Sequence, residues 1–344
     1  MASATATRVV VADDSALMRS VLSSALGGAG IEVVGLACDG DEALECCERL
    51  APDVLSLDLA MPGRDGVGVL RELRARGMHI PVVVVSAFSE AAGARAVDAL
   101  AEGAFELVPK PTSRGELDSF IDDLGERVLL AAAQGRRNDA AAERINGHYV
   151  AHSVAPAGHR VVLIACSTGG PRALADLLPK LPASLGDGVV VVQHMPRGFT
   201  APLAERLNRA SSLTVSEAVD NERVECSRVL VAPGGHHMRI VSPGVIALSD
   251  APPVGGLRPR ADITIRDAAA VWGERLLLVV LTGMGSDGLD GAAAVREAGG
   301  RILVEAASSC VVHGMPRVIA EAGLADAEVD LSGLPAAIVA EAGR

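Results

Sequence analysis

Short runs of β-branched residues alternate along this chain with stretches whose apolar positions recur every three or four residues. From Arg8 the runs are RVVVA, IEVVGLA, DVLSLD, PVVVVS and FELVP. With helical stretches between them they predict a five-stranded, doubly wound parallel α/β sheet. A last amphipathic stretch, RGELDSFIDDLGERVLLAAA, gives way to QGRRNDAAAERINGHYVAHSVAPAGHR. The latter mixes charge, alanine and glycine with no sustained period, the pattern of a connecting segment. Alternation resumes with RVVLIACS, GVVVVQH, RVLVAP, LLLVVLTG and RILVEA, with PRALADLLPK and TAPLAERLNRA among the helical candidates. A second parallel α/β sheet follows from this. HHMRIVSPGVIALSD holds two alternating runs joined by Pro-Gly and predicts an inserted β-hairpin. The expected organisation is an α/β domain over 1–128, a linker over 129–157 and a second α/β domain over 158–344, with no internal repeat and no helix-turn-helix signature.

Composition narrows what these domains can do. A chain of 344 residues is long enough to bury two cores. Its formal net charge of -12 repels nucleic-acid phosphates and anionic membrane surfaces at long range, so a protein or small-molecule substrate is expected and nucleic acid is not. The six cysteines, Cys38, Cys46, Cys47, Cys166, Cys226 and Cys310, form no C-x-x-C pair and no zinc-binding spacing. Reduced thiols in a cytoplasm are expected. The opening MASATATR lacks a basic start followed by an apolar stretch, and no apolar run approaches the roughly 20 residues of a membrane span. A cytoplasmic protein without membrane insertion is the expectation.

Ligands of open parallel sheets bind outside the carboxyl ends of the strands. In the first domain those ends carry Asp13 and Asp14, Asp58, Ser86 and Lys110. Crowded carboxylates repel one another unless a hard cation sits among them, and Mg²⁺, with its preference for oxygen, suits such a set. Helix capping is the alternative, strongest for Asp14 beside SALMRS. In the second domain Ser167 follows VVLIAC, His194 follows VVVVQ and Asp287 follows LLLVVLTGMGS. Three strands would deliver a nucleophile, a base and an orienting acid to one edge. Gly169 and Gly170 permit a tight turn at the serine, and backbone N–H groups near Met284 and Gly285 could face a developing oxyanion. Singly, Ser167 could be a turn or capping residue and Asp287 an N-cap for GLDGAAAVREA. His236, His237 and His313 are expected in solvated or hydrogen-bonded loops, and His79, His148, His152 and His159 receive no role.

With VADDSALMR, LDLAMPGRDG, VSA and VPKP at its strand ends, the stretch from residue 8 to about 128 resembles a two-component receiver domain. The resemblance implies that Asp58 accepts a phosphoryl group from a CheA-type sensor histidine kinase. It implies further that Asp13, Asp14 and Asp58 hold Mg²⁺ and that Ser86 and Lys110 support the phosphoryl group. Leu107 stands where the family often carries an aromatic switch residue. Residues 160 to 335, through STGG, QHMPRGFT, AERLN, VAPGGHHM, LTGMGSDG and GMPR, resemble the catalytic domain of the chemotaxis protein-glutamate methylesterases, the CheB family. That implies Ser167, His194 and Asp287 as catalytic triad and the Met284 backbone as oxyanion donor. It also implies an esterase needing no cofactor, which releases methanol from glutamate methyl esters of methyl-accepting chemotaxis receptors, with glutamine deamidation also expected. The unphosphorylated receiver would then block the esterase cleft. Three departures stand out: Ala165-Cys166 before the serine, Arg260 at a position usually small, and no acidic residue near Ala307. All three are expected to lie away from the triad, with Cys166 packing as a small hydrophobe. A receiver-controlled adaptor with a non-catalytic hydrolase-like domain is the alternative. A transcription factor is opposed by the acidic balance and the missing recognition helix.

Overall fold

The computed structural model describes residues 6–87, 90–141 and 159–343. The chain divides into two units, Met1–Arg144 and Ile145–Arg344. The first unit alternates strands and helices: β1 (Arg8–Ala12), α1 (Ala16–Gly28), β2 (Glu32–Ala37), α2 (Gly40–Leu50), β3 (Val54–Leu57), α3 (Gly66–Ala75), β4 (Val82–Ser86), α4 (Glu90–Ala101), β5 (Glu106–Pro109) and α5 (Leu117–Ala141). The strands pair in parallel in the order β2-β1-β3-β4-β5. β3 and β4 are buried along their whole length, which is why their sequences read as unbroken apolar runs instead of alternating ones. The chain reverses its winding between β1 and β3, and there the strand ends splay into a crevice. Helix starts are written locally: Ser15, Asp39 and Asp65 cap α1, α2 and α3 through their side-chain oxygens.

α5 runs on past the amphipathic stretch, through residues 134–141, inside the segment expected as linker. Gln134, Arg136, Arg137, Ala140 and Ala141 are strong helix formers and offset Gly135, Asn138 and Asp139. The rest of that linker, with His148 and His152, lies outside the described residues.

The second unit comprises β6 (Val161–Cys166), α6 (Gly170–Leu177), β7 (Val189–Gln193), α7 (Thr200–Ala210), β8 (Thr214–Glu217), β9 (Arg228–Val231), β10 (His237–Val241), β11 (Val245–Ser249), α8 (Ala261–Trp272), β12 (Leu276–Val280), α9 (Leu289–Glu297), β13 (Arg301–Glu305), α10 (Met315–Glu321), β14 (Ala327–Val329) and α11 (Leu334–Ala342). Seven strands form one parallel sheet in the order β14-β13-β12-β6-β7-β9-β8. Two of them, β8 and β14, were not expected. TVSE and AEV are short, with only Val215 and Val329 buried, because they form the two edges, where burial demands least. The expected hairpin is β10–β11, paired antiparallel from His237↔Ser249 to Val241↔Val245. It lies against α8, whose Thr264 hydroxyl donates to the Met238 carbonyl at 2.6 Å. Beneath it, Leu163, Val190, Ile265, Trp272, Leu278 and Met315 belong to one continuous core. The order reverses between β6 and β12, which opens this unit's crevice at the ends of β6, β7 and β12. No helix among the described residues is long and apolar enough to cross a membrane.

Candidate functional site

The strand ends of the first unit gather the acidic set. Carboxylate oxygens of Asp13, Asp14 and Asp58 lie within 4.8 Å of one another, Asp13 and Asp58 buried and Asp14 exposed. Lys110 closes the pocket, its Nζ 2.7 Å from Asp13 Oδ2 and 2.6 Å from Asp58 Oδ2. Burial works against the ammonium, but its hydrogen bonds to both carboxylates raise the Lys110 pKa overall. Ser86 is buried on the neighbouring strand, its carbonyl accepting from the Lys110 amide at 2.8 Å. Sequence reasoning missed Arg19, whose Nη1 donates to the carbonyls of Asp13 and Asp14 and so braces the acidic turn. Asp14 does not cap α1, since Ser15 does. Three hard oxygen donors, two of them buried, fit a small divalent cation.

In the second unit, Cys166 and Gln193 are register partners on β6 and β7. The next residues, Ser167 and His194, therefore leave adjacent strands side by side, and the His194 amide donates to the Cys166 carbonyl at 3.0 Å. The imidazole Nε2 is 2.7 Å from Asp287 Oδ2, and both side chains are almost wholly buried. With Nε2 donating to the carboxylate, Nδ1 is the nitrogen left to accept a proton.

Asp287 does not cap the helix that follows it, whose N-cap is Gly288. Its oxygens accept instead from the amides of Ala261 (2.7 Å) and Asp262 (2.9 Å) at the start of α8. Burial pushes its pKa up, but the hydrogen bond and charge of His194 and these two amides outweigh burial and hold it well below the carboxylate range. Arg260, expected away from the triad, lies against it: its Nε is 3.4 Å from Asp287 Oδ1. No local sequence pattern marks this contact, because the two residues lie at different helix starts.

Gln193 was passed over as a strand residue, yet its buried amide ties the site together. Nε2 donates to the carbonyls of both Ser167 and His194 at 3.0 Å, and Oε1 accepts from the Cys166 thiol at 3.1 Å. Burial pushes the Cys166 thiol far up, so it packs as an inert neighbour, as expected. Gly170 makes room for this amide: a Cβ there would stand 2.0 Å from Gln193 Oε1 and 3.0 Å from Cys166 Sγ. Gly170→Ala is expected to cost about 2 kcal/mol or more of stability through overpacking. A denaturant midpoint equal to the parent's would show that the Gln193 strap is not tightly packed.

The β12 end is anchored by Glu305, also unforeseen. Its fully buried carboxylate accepts from the Thr282 amide (2.8 Å) and the Ser309 hydroxyl (2.9 Å). The Thr282 carbonyl accepts from the Ser167 amide at 3.0 Å. Beyond it, the Gly283 carbonyl accepts from the Gly314 and Met315 amides, which pins the loop carrying Met284 beside the serine. Burial raises the Glu305 pKa. The folded state thus holds this proton to higher pH than the unfolded chain, and stability is lost as pH rises from the ordinary carboxylate range through the folded-state value. Glu305→Gln keeps an acceptor for Thr282 without a buried charge, so it is expected to be more stable than the parent at pH 8 and no more stable near pH 4. Thermal melts at both pH values test this.

His236 is hydrogen-bonded as expected, to Asp250 and Arg197, whereas His237, expected in a loop, is buried on β10 and bonds to the Pro252 carbonyl.

One parallel α/β unit with an acidic strand-end pocket, joined to a second whose strand ends gather Ser, His and Asp, defines a receiver-plus-hydrolase architecture. A response regulator receiver domain model matches residues 9–122 and a CheB methylesterase model residues 162–338. The chain is 46% identical over 334 residues to a protein-glutamate methylesterase/protein-glutamine glutaminase of Symbiobacterium thermophilum, covering 92% of each. It is 43% identical over 336 residues to protein-glutamate methylesterase/protein-glutamine glutaminase 5 of Myxococcus xanthus, covering 95% of each. The CheB methylesterase catalytic domain of Thermotoga maritima superposes with a TM-score of 0.51 at 40% identity, covering 54% of this chain and 98% of that one. The chain belongs to the CheB methylesterase family, carboxylic ester hydrolases joined to a receiver domain.

Proposed function

We propose that this protein demethylates glutamate methyl esters of methyl-accepting chemotaxis receptors, releasing methanol, and that phosphorylation of its receiver by a CheA-type kinase governs the rate. The observation that carries the reading is the bonded His194–Asp287 pair, with His194 leaving β7 beside Ser167 at the end of β6. Ser167 Oγ attacks the γ-carbonyl carbon as its proton passes to His194 Nδ1, while Asp287 stabilises the imidazolium. The carbonyl oxygen of the ester becomes an oxyanion facing the Met284 amide. Collapse breaks the bond to methoxide, which takes the proton from His194 and leaves as methanol. Water then repeats the sequence on the acyl-enzyme, freeing glutamate and Ser167. A glutamine substrate follows the same path with ammonia as leaving group, the second activity in the relatives' names. An adaptor without turnover has no use for a carboxylate held ionised against a buried imidazole.

In the receiver, Asp58 is the proposed phosphoryl acceptor, with Mg²⁺ held by Asp13, Asp14 and Asp58. The cation supplies charge neutralisation for the incoming phosphoryl oxygens. Lys110, paired with Asp58, and Ser86, at the end of the neighbouring strand, are the proposed contacts for those oxygens. We place the receiver at 1–128, the linker at 129–157 and the esterase domain at 158–344, with the unphosphorylated receiver restraining the esterase. A chain beginning at His159 is therefore expected to release methanol from methylated receptor faster than the unphosphorylated full-length protein. A small phosphodonor should accelerate the full-length protein and leave the shortened one unchanged. Equal rates before and after shortening would refute restraint by the receiver and leave the esterase reading intact.

A further inference from the structure

We propose that Arg260 and Asp262 are positioning residues for the triad, a clamp that fixes Asp287 at the start of α8 and tempers its charge toward His194. The proposal rests on the reading of Asp287 as the orienting acid. Two helix starts exchange carboxylates here. Asp287, just before α9, accepts from the first two amides of α8, and Asp262, in the first turn of α8, accepts through Oδ1 from the amides of Gly288 (2.9 Å) and Gly291 (2.8 Å) at the start of α9. Each helix dipole thus faces an anion carried by the other helix, and neither carboxylate can shift without breaking bonds at both helices. Arg260 spans the pair. Its Nη2 donates to Asp262 Oδ2 at 2.9 Å, its Nε lies 3.4 Å from Asp287 Oδ1, and its Nη1 donates to the Val254 carbonyl at 3.2 Å.

Two buried carboxylates side by side resist joint ionisation, and a cation between them relieves the repulsion. Burial and the neighbouring Asp287 charge raise the Asp262 pKa, against the hydrogen bonds from Gly291 and Arg260, while Asp287 stays ionised. The charged groups that meet Asp287 are His194 from the end of β7 and Arg260 and Asp262 from the start of α8. On α9 itself, Asp290 is exposed and paired with Arg266 at 2.8 Å. Removing the guanidinium leaves more negative charge beside the imidazole, favours its protonated form, and makes the base available only at higher pH.

The test is kcat/KM against pH for the full-length protein, Arg260→Ala and Arg260→Lys, read as methanol release from a peptide bearing a γ-glutamyl methyl ester. Arg260→Ala should move the acid limb upward by about half a unit to one unit, a loss of about threefold to tenfold on that limb that shrinks to within about twofold on the plateau. Arg260→Lys should return the limb toward the parent's. Asp262→Ala should lower kcat by about tenfold or more with KM within about twofold, and Asp262→Asn, which keeps an oxygen for the Gly288 and Gly291 amides, should recover most of that loss. A uniform loss at every pH in Arg260→Ala would overturn the charge role. Loss confined to KM, or no recovery in Asp262→Asn, would overturn the positioning role. If Asp262→Ala fails to fold, the Arg260 pair still decides. Ser167→Ala run alongside separates the two readings: an active Ser167→Ala variant refutes the triad itself, whereas an inactive one with unchanged Arg260 profiles refutes the clamp alone.

Discussion

Ser167→Ala is expected to abolish turnover, with kcat for methanol release falling by a factor on the order of 10⁴ or more. The fold should survive, because the hydrogen bonds at Ser167 are made by its backbone. Its amide donates to Thr282, and its carbonyl accepts from Gly170 and Gln193. His194→Ala should cost about as much and the double variant scarcely more, since residues acting as one unit are not additive. Asp287→Asn differs in kind. Asp287 accepts from His194, Ala261 and Asp262, so either orientation of an asparagine turns its NH₂ toward an N–H donor. A large loss is expected, together with a stability loss that Ser167→Ala lacks. Full esterase activity in Ser167→Ala would remove the serine from the mechanism.

The second large effect is in the receiver. Asp58→Asn should reduce phosphoryl labelling by a small phosphodonor to background and remove any response of the esterase to it. In the parent, labelling should require Mg²⁺, because Lys110 alone faces the charge of Asp13 and Asp58 and a further anion must be neutralised before it can approach. The readout is radiolabel retained by the denatured protein at fixed donor concentration, with and without chelator. Undiminished label in Asp58→Asn, or in the chelated parent, would refute the assignment.

The strands that carry both sites were legible because each is a largely apolar run buried on both faces that stops abruptly at polar residues: VVLIAC before Ser167, VVVV before Gln193 and His194, and VLSL, with Ser56 buried inside it, before Asp58. Residues that act at strand ends are found by such punctuation. Asp262, Arg260 and Glu305 escaped because their partners are remote. Asp262 meets Gly288, and Glu305 meets Thr282, across more than 20 intervening residues, and no local pattern records a contact that exists only after two crossovers have packed. Edge strands β8 and β14 escaped for the opposite reason, too little apolar character to stand out. Gln193 stood in plain view beside His194, but its amide meets the serine carbonyl only once β6 and β7 are in register.

The imidazole at position 194 gives Asp287 its distal nitrogen, Nε2, which leaves Nδ1 for the proposed proton transfer from Ser167. Nδ1 is bonded to the ring carbon attached to Cβ, so it sits on a short lever arm from the backbone. A small swing of the side chain about the Cα–Cβ bond carries Nε2 through a wider arc than Nδ1. The basic atom therefore takes its placement chiefly from the end of β7, whose amide is tied to Cys166 and whose carbonyl is tied to Gln193. Errors in that swing fall on the Asp287 side, where Oδ2 faces the ring. In mechanical terms, the base is mounted on the sheet and the clamped acid is the stop against which the far end of the ring rests.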